Sequence, residues 1–280
     1  MNNGETVYLV NFVDTNADGT LDKREWYEFD DADADDIVRV SELSPIAESG
    51  VPTVLRQRTI AEDLQNFANW FSYYRKRELT AIGAIATVLT QIQGMNIGFY
   101  SIHENIIQPV LPVHVGGLDE TDTLLNILYT QYNSNSNTPL RPALMSVGQY
   151  FHQDDTLTGN IGDSPYALAA NGGECQQCFA IIMSDGAYNG STEPWDPAEN
   201  HDGDNGAPYA DSYSNTLADI AMYYYENDLS ATLGNQVPTS SRDTASHQHM
   251  VTYGVGFGID GSLIQSAYDL DSGPYPTWPN

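Results

Sequence analysis

Positive charge is what this chain has least of. Its 280 residues include ten lysines and arginines, only two of them lysine, against 38 aspartates and glutamates, so the net charge is -28 and the pI is near 4.1. A surface of that sign repels nucleic acid and anionic lipid and draws divalent cations, which excludes nucleic-acid binding as a function class. Long apolar runs are missing too. None approaches the roughly 18 to 20 residues of a membrane-spanning helix, and the opening MNNGETVYLV lacks a basic segment leading into an apolar one. The expectation is a chain with no membrane span, either intracellular or relieved of its export signal. Acidic, Asn-rich and Lys-poor composition fits a secreted or surface protein, or a salt-adapted one.

Cysteine is nearly absent as well. Cys175 and Cys178 stand in ECQQCF with no second pair to complete a zinc site, and Phe179 occupies the place where a c-type haem motif needs histidine. A disulfide between the two, a pair of inert thiols and a redox dithiol remain open. Also missing are H-E-x-x-H, G-x-S-x-G, a phosphate-binding glycine loop and the Rossmann fingerprint, so the main catalytic signatures are not there and the chain is not expected to be an enzyme.

The most specific motif present is Asp14 to Glu25, DTNADGTLDKRE. Asp14, Asn16 and Asp18 supply oxygens at positions 1, 3 and 5 of a calcium loop, and Gly19 makes the sharp turn at position 6. Thr20 offers its carbonyl at 7, Asp22 sits at 9 and Glu25 gives the bidentate carboxylate at 12. The preceding VYLVNFV reads as a strand and not as an amphipathic helix, so a lone structural calcium loop is expected, without a paired sensor. Residues 29 to 58 form an acidic connector and a Pro- and Gly-containing run. The aspartates at 30, 31, 33, 35 and 36 read as a solvated face, with further calcium binding as the other possibility.

From Glu62 to Gln93 the pattern is helical: Leu64, Phe67, Phe71 and Tyr74, then Ile82, Ile85, Leu89 and Ile92, step by three or four, with Gly94 able to cap the end. Arg75, Lys76 and Arg77 fall in its middle. Asn96 to Ile102 reads as a strand with Val110 to Val115 as a possible edge partner, and Leu124 to Tyr132 as a short helix. Thr138 is a natural N-cap, with Pro139 in the first turn of a helix lined by Leu140, Leu144, Val147 and Phe151. Phe179 to Gly186, FAIIMSDG, reads as a strand buried on both faces that ends in Ser184, Asp185 and Gly186, where an α/β sheet holds its ligands. The loop that follows carries Asp196, Asp202, Asp204 and Asp211, which could hold another cation, although their spacing matches no defined cation loop. A helix over Asn215 to Asn227 and a strand over Met250 to Phe257 complete the pattern. Alternating strands and helices at this spacing predict an α/β fold, a mostly parallel sheet flanked by helices, with long loop insertions.

These segments carry a resemblance. The order of long helix, NIGFYSI, TPLRPAL, FAIIMSDG and MVTYGVGFG is similar to a von Willebrand factor A domain, a Rossmann-like fold. More narrowly, QNFANWFSYYRKREL, TPLRPAL, DNGAPYADSYSNTLADIAMYYYENDL and HQHMVTYGVGFGIDG resemble the PilY1 family, adhesins of type IV pilus tips, over residues 60 to 262. The resemblance implies an extracellular, cell-surface or pilus-tip location, with minor pilins or tip proteins and a surface or host ligand as partners. It implies adhesion, and a role in pilus biogenesis, through a divalent metal, calcium or magnesium, held in part by Thr138 and Asp185.

The adhesion motif D-x-S-x-S that would complete this metal site is absent. The expectation is therefore a fragment, with residues 1–58 an N-terminal insertion bearing the calcium loop and 59–280 an incomplete A-like domain. A rival placement makes VYLVNFV the central first strand, with Asp14 and Asn16 standing in for the missing motif. Two other functions compete: a structural calcium-binding spacer of a surface filament, and a metal-dependent hydrolase built on His247 and His249 with Asp185.

Overall fold

A computed structural model describes residues 7–30, 39–104, 106–132, 137–152, 161–186, 188, 199–206 and 209–257. Asp31, Asp33, Asp35, Asp36 and Asp196 lie outside them. The chain divides into two compact units, Met1–Thr80 and Ala81–Asn280, and the expected boundary after residue 58 falls inside the first.

The first unit is built on an antiparallel meander of β1 (Val7–Val13), β2 (Lys23–Phe29) and β3 (Leu43–Ile46), with Val13 opposite Lys23 at the turn. VYLVNFV is thus the edge of a small sheet, not the centre of a large one. Trp26 and Phe29 are its buried anchors. Arg24 on β2 ties the unit together. It donates to Asp63 at 2.7 Å, to the Arg58 carbonyl at 2.7 Å and to Glu48 at 2.6 Å, with its guanidinium 5.7 Å from the Trp26 ring. The short helix α1 (Thr53–Arg56) leads to α2 (Ile60–Tyr73), which opens on a capping box between Thr59 and Glu62.

The helix predicted to run unbroken from 62 to 93 breaks at Tyr74–Lys76, and α3 (Arg77–Leu89) begins afresh. Tyr74 leaves helical geometry at φ -133°, the Thr80 hydroxyl donates to its carbonyl, and Arg75 folds back over the Phe71 ring at 4.5 Å. The basic triplet therefore sits at a break between two helices. No residue of α2 is buried, and Phe67, Phe71 and Tyr74 of the periodic stripe stay about half exposed, with Trp70 and Tyr73 beside them.

In the second unit, β4 (Met95–Tyr100) and β5 (Ile107–Val113) pair antiparallel around a bulge at Gly98, where a Cβ would meet the Gln108 carbonyl oxygen at 2.6 Å. Ile82, Ala86 and Leu89 of α3, Val113 of β5, and Leu124 and Leu128 of α4 (Thr121–Gln131) form one core cluster. A second cluster joins α5 (Leu140–Phe151), β6 (Cys178–Ser184), α6 (Leu217–Glu226) and β7 (Met250–Gly256). It is centred on Leu144, Phe151, Ile220, Tyr224, Leu229 and Met250. Full burial of each such side chain is worth about 1.5 to 3 kcal/mol. β6 and β7 run parallel, Cys178 opposite Met250 and Ser184 opposite Gly256.

The mostly parallel, von Willebrand factor A-like sheet is not formed by these strands. They make a three-stranded and a two-stranded antiparallel sheet and a single parallel pair. Strand β4 pairs with the next strand along the chain, and so small a loop allows only antiparallel pairing; of the strands that pair, only β6 and β7, with α6 between them, have a crossover. Nor is β6 buried on both faces. Phe179 is 44% exposed and Ile181 70%, because α5 and α6 cover one side only, and Tyr253 stacks beside Phe179 on the open side. A continuous apolar run does not by itself distinguish these cases. At α5 the helix starts one residue later than predicted: Pro139 is the N-cap residue, and the Thr138 carbonyl accepts from the Leu140 N–H.

The closest helix contact is at Gly148 of α5, whose backbone lies against the ring of Tyr224 on α6; a Cβ there would overlap the ring. Tyr224 is 2% exposed and has nowhere to retreat. Gly148→Ala is expected to destabilise the second unit by about 1 to 3 kcal/mol, despite alanine's better helix propensity. Urea unfolding of the two proteins checks this, and an unchanged or raised midpoint would show that the helices separate freely.

Candidate functional site

Residues 14–22 close the β1–β2 hairpin, with the Asp22 N–H on the Val13 carbonyl at 3.0 Å. The Asp14 carboxylate is the hub of this loop. Its Oδ1 accepts from the Asn16 and Asp18 N–H groups at 3.3 and 3.2 Å, and its Oδ2 from that of Gly19 at 2.8 Å. Ala17 at φ 61° and Gly19 at φ 89° supply the left-handed turns that curl the chain around it. Asn16 Oδ1 accepts from the Asp18 N–H at 3.0 Å, and Asp18 Oδ1 from the Thr20 N–H at 2.8 Å. Asp22 accepts from the Thr15 hydroxyl at 2.7 Å and the Thr15 N–H at 3.0 Å.

These donors hold two carboxyls below the usual carboxylate range, Asp18 chiefly through the Thr20 N–H and Asp22 chiefly through the Thr15 hydroxyl. Both are anions at neutral pH. Glu25 stands apart on β2, paired with Lys23 at 2.9 Å. The hairpin turn thus carries Asp14, Asn16, Asp18, Thr20 and Asp22, with Asp22 tied to Thr15 and Glu25 engaged with Lys23. Among the described residues no group of three His, Cys, Asp or Glu side chains is gathered as metal ligands.

Thr138 precedes α5 and Asp185 follows β6. Phe151, at the end of α5, stacks 6.5 Å from Tyr166, which shares a core cluster with Cys178 at the start of β6. Arg141, at the start of α5, lies 5.8 Å over the ring of Tyr188, shortly after β6, and donates to the Asn215 carbonyl ahead of α6 at 3.0 Å. Helix α5 therefore runs antiparallel to β6, and the segments holding Thr138, Asp185 and Asn215 lie at one end of the layer.

The stretch 199–206 and 209–216 packs on α6. Asp219, fully buried, is saturated: it accepts from the His201 N–H at 2.8 Å, the Thr216 N–H at 2.7 Å and the Thr216 hydroxyl at 2.8 Å. Asp202, 1% exposed, is not. Its Oδ1 accepts a long bond of 3.4 Å from the Asp211 N–H and its Oδ2 has no partner. Burial pushes this carboxyl above the usual range, and the negative charges of Asp211 and Asp219 push it the same way. Buried amide oxygens of Asn200, Asn205 and Asn215 also lack partners. Spacing of the aspartates alone does not reveal these asparagines; their signal in the sequence is N-H-D-G-D-N-G, amide and carboxylate oxygens interleaved with glycine.

The histidines do not join Asp185. His249 immediately precedes β7 and Asp185 immediately follows β6, so with the strands parallel and in register they lie beyond opposite ends of a seven-residue pair, about 26 Å apart at the usual rise per residue. Three of the four ring nitrogens are also engaged. His247 Nε2 is 3.0 Å from the Tyr225 carbonyl, His249 Nδ1 is 2.7 Å from the His247 carbonyl, and His249 Nε2 is 3.2 Å from Asp243 Oδ2. A ring nitrogen facing a carbonyl carries its proton there and offers no lone pair to a metal. Cys175, exposed, and Cys178, buried, are free thiols and form no disulfide.

The chain is similar to the type IV pilus biogenesis factor PilY1 of Pseudomonas aeruginosa. Identity to the protein of strain PAK is 26% over 271 residues, covering 79% of this chain and 22% of the relative. For the proteins of strains PAO1 and UCBPP-PA14 it is 26% over 259 and 255 residues, 76% of this chain in each case and 21% and 20% of the relative. The chain spans about a fifth of the length of these relatives. No family model and no solved structure matches it.

The two thiols are expected to behave differently. At pH 8 a thiol reagent should label Cys175 at once and Cys178 only after denaturation, because burial pushes the Cys178 thiol up from 9.0 to about 11. The folded state favours the protonated thiol, so this contribution is complete below pH 9 and is lost as pH rises toward about 11. Unfolding midpoints should fall less over that interval in Cys178→Ala than in the parent. Equal labelling of both thiols in native protein would contradict the assignment.

Proposed function

We propose, from its kinship with the PilY1 type IV pilus biogenesis factors, that this chain serves the pilus machinery as a non-catalytic surface segment whose N-terminal hairpin loop binds calcium. The kinship covers about three quarters of the chain, and supports work at the cell surface or on the pilus, with other pilus proteins and a surface or host ligand as partners. Extreme acidity and the lack, among the described residues, of a helix long and apolar enough to cross a membrane accord with that setting.

One observation carries the calcium reading. The backbone from Asn16 to Gly19 is wrapped around the Asp14 carboxylate by three N–H donors, which orders the first half of the calcium loop. Calcium takes six to eight oxygens at about 2.3 to 2.6 Å. Asp14, Asn16, Asp18, the Thr20 carbonyl and Asp22 would supply most of them, and Glu25 the bidentate remainder once it leaves Lys23. Ligand binding of this kind stabilises the folded state by about 2.7 kcal/mol at a hundredfold excess over Kd.

A finer reading, adhesion through a divalent cation held in part by Thr138 and Asp185, is favoured by their placement at one end of the α5/β6 layer. It predicts that Asp185→Ala in the intact protein abolishes surface attachment and leaves the hairpin's calcium in place.

Calcium calorimetry tests the hairpin. Asp14→Ala should lose its tight site, while Lys23→Ala, which frees Glu25 and removes a competing cation, should bind several-fold more tightly. If Asp14→Ala titrates like the parent, the hairpin is not a calcium centre and the role of this segment is carried elsewhere.

A further inference from the structure

We infer that the loop 200–205 is a second and separate calcium site, held by Asn200 Oδ1, Asp202 Oδ2 and Asn205 Oδ1 against the flank of α6. The ground is a group of buried oxygens with no hydrogen-bond donor to face. Asp202 Oδ2 is the most demanding, a carboxylate oxygen on a side chain 1% exposed. A buried charge without a partner is strongly unfavourable, because the interior cannot replace the water it gave up. The charged groups whose field reaches it, Asp211 and Asp219, are both negative.

The amide ends of the two asparagines are fixed by their other atoms. Asn200 Nδ2 donates to the Asp211 carbonyl at 3.2 Å, and Asn205 Nδ2 to the carboxylate of Glu226. Rotating either amide would set an oxygen against an oxygen, so the unpartnered atom is the oxygen in both. These atoms belong to one small structure. The Asn205 N–H closes a turn on the Asp202 carbonyl at 3.1 Å, and Asn200 Oδ1 lies so close over that turn that a Cβ on Gly203 would overlap it. The Asp211 main chain clasps the same loop from the other side, its N–H on Asp202 Oδ1 and its carbonyl under Asn200 Nδ2.

Chemistry then selects the ligand. Unpartnered acceptors call for a positive or proton-bearing guest. One carboxylate with neutral amide oxygens on an irregular loop suits calcium, which tolerates mixed oxygen ligands and variable angles. Magnesium demands a near-ideal octahedron and zinc prefers nitrogen and sulfur. Asn215 Oδ1 is also unpartnered, and its N–H donates to the Glu199 carbonyl beside Asn200 at 3.3 Å, so it flanks the site at the first turn of α6 while Asn205 is tied to Glu226 in the last; the ligand set named here is the loop's own. The inference does not rest on the hairpin reading, because the residues are different.

Calorimetry and thermal unfolding of the whole chain with calcium chloride, on the parent, Asp14→Ala, Asp202→Asn and Asn200→Ala, test the site. Asp14→Ala should still bind one calcium ion that Asp202→Asn and Asn200→Ala weaken at least tenfold. Asp202→Asn has the diagnostic value. It keeps shape while removing the buried charge, so without calcium its Tm should equal or exceed the parent's, and the calcium-induced rise in Tm that this loop supplies should vanish. If Asp14→Ala fails to fold, the parent should bind one more ion than Asp202→Asn. Calcium binding and its Tm rise unchanged in Asp202→Asn would overturn the proposal, leaving a loop satisfied by water and a neutral carboxyl. Loss of binding in Asp14→Ala alone would overturn it as well, while upholding the hairpin.

Discussion

Scarcity of cations is the constraint on which this structure depends. With nearly four acidic side chains for each basic one, salt bridges cannot balance the carboxylates, and backbone N–H groups and hydroxyls do so instead. Asp14 takes three N–H groups, Asp219 two N–H groups and a hydroxyl, and Asp119 the hydroxyl and N–H of Thr121. The capping boxes at Thr59 and Thr216 apply the same solution to helix starts. Two of the few cations are placed where one group serves several partners: Arg24 binds two carboxylates and a carbonyl, and Arg141 bridges two loops. Loss of Arg24 would strand Asp63, 12% exposed at its side chain, which is the more serious cost of breaking a partly buried pair.

Local structure was largely legible in the order of residues. The hairpin loop follows from oxygens at alternate positions and a glycine at the sixth, a pattern whose geometry is complete within a dozen residues. Helices α4, α5 and α6 and strands β4, β6 and β7 fall within a few residues of their predicted places, because three-to-four periodicity and apolar runs are short-range signals. Strand partnership is not such a signal. NIGFYSI reads the same whether it pairs with β6 in a parallel sheet or folds back on Ile107–Val113, as it does, and the expected sheet failed at that choice. The aromatic stripe of α2 is helical, as its spacing says, yet exposed, since periodicity describes a face and does not say that anything covers it.

The candidate sites divide along the same line. Asp14 to Asp22 are read from spacing alone. The 200–205 loop escapes such reading because its ligands are asparagines whose meaning lies in what their amide nitrogens already hold, Asp211 and Glu226, and those partners are distant in sequence. His247 and His249 show the reverse error. A chelating spacing was present, but the register of β6 against β7 sends Asp185 to the far end and Tyr225, Asp243 and the His247 carbonyl claim the rings.

The parallel pairing of β6 with β7 also governs the order in which the chain can become folded. The hairpins β1–β2 and β4–β5 close between neighbours, whereas β6 must wait through the whole of α6 and its flanking loops before Met250 arrives opposite Cys178. Until then Cys178, Ala180 and the inner faces of α5 and α6 have no completed core to enter, and closing so long a loop precedes any reward from burial. In a chain delivered from its N-terminus, the β6–β7 pair is therefore the last of the described strand pairings that can form, and the core shared with α5 and α6 closes with it.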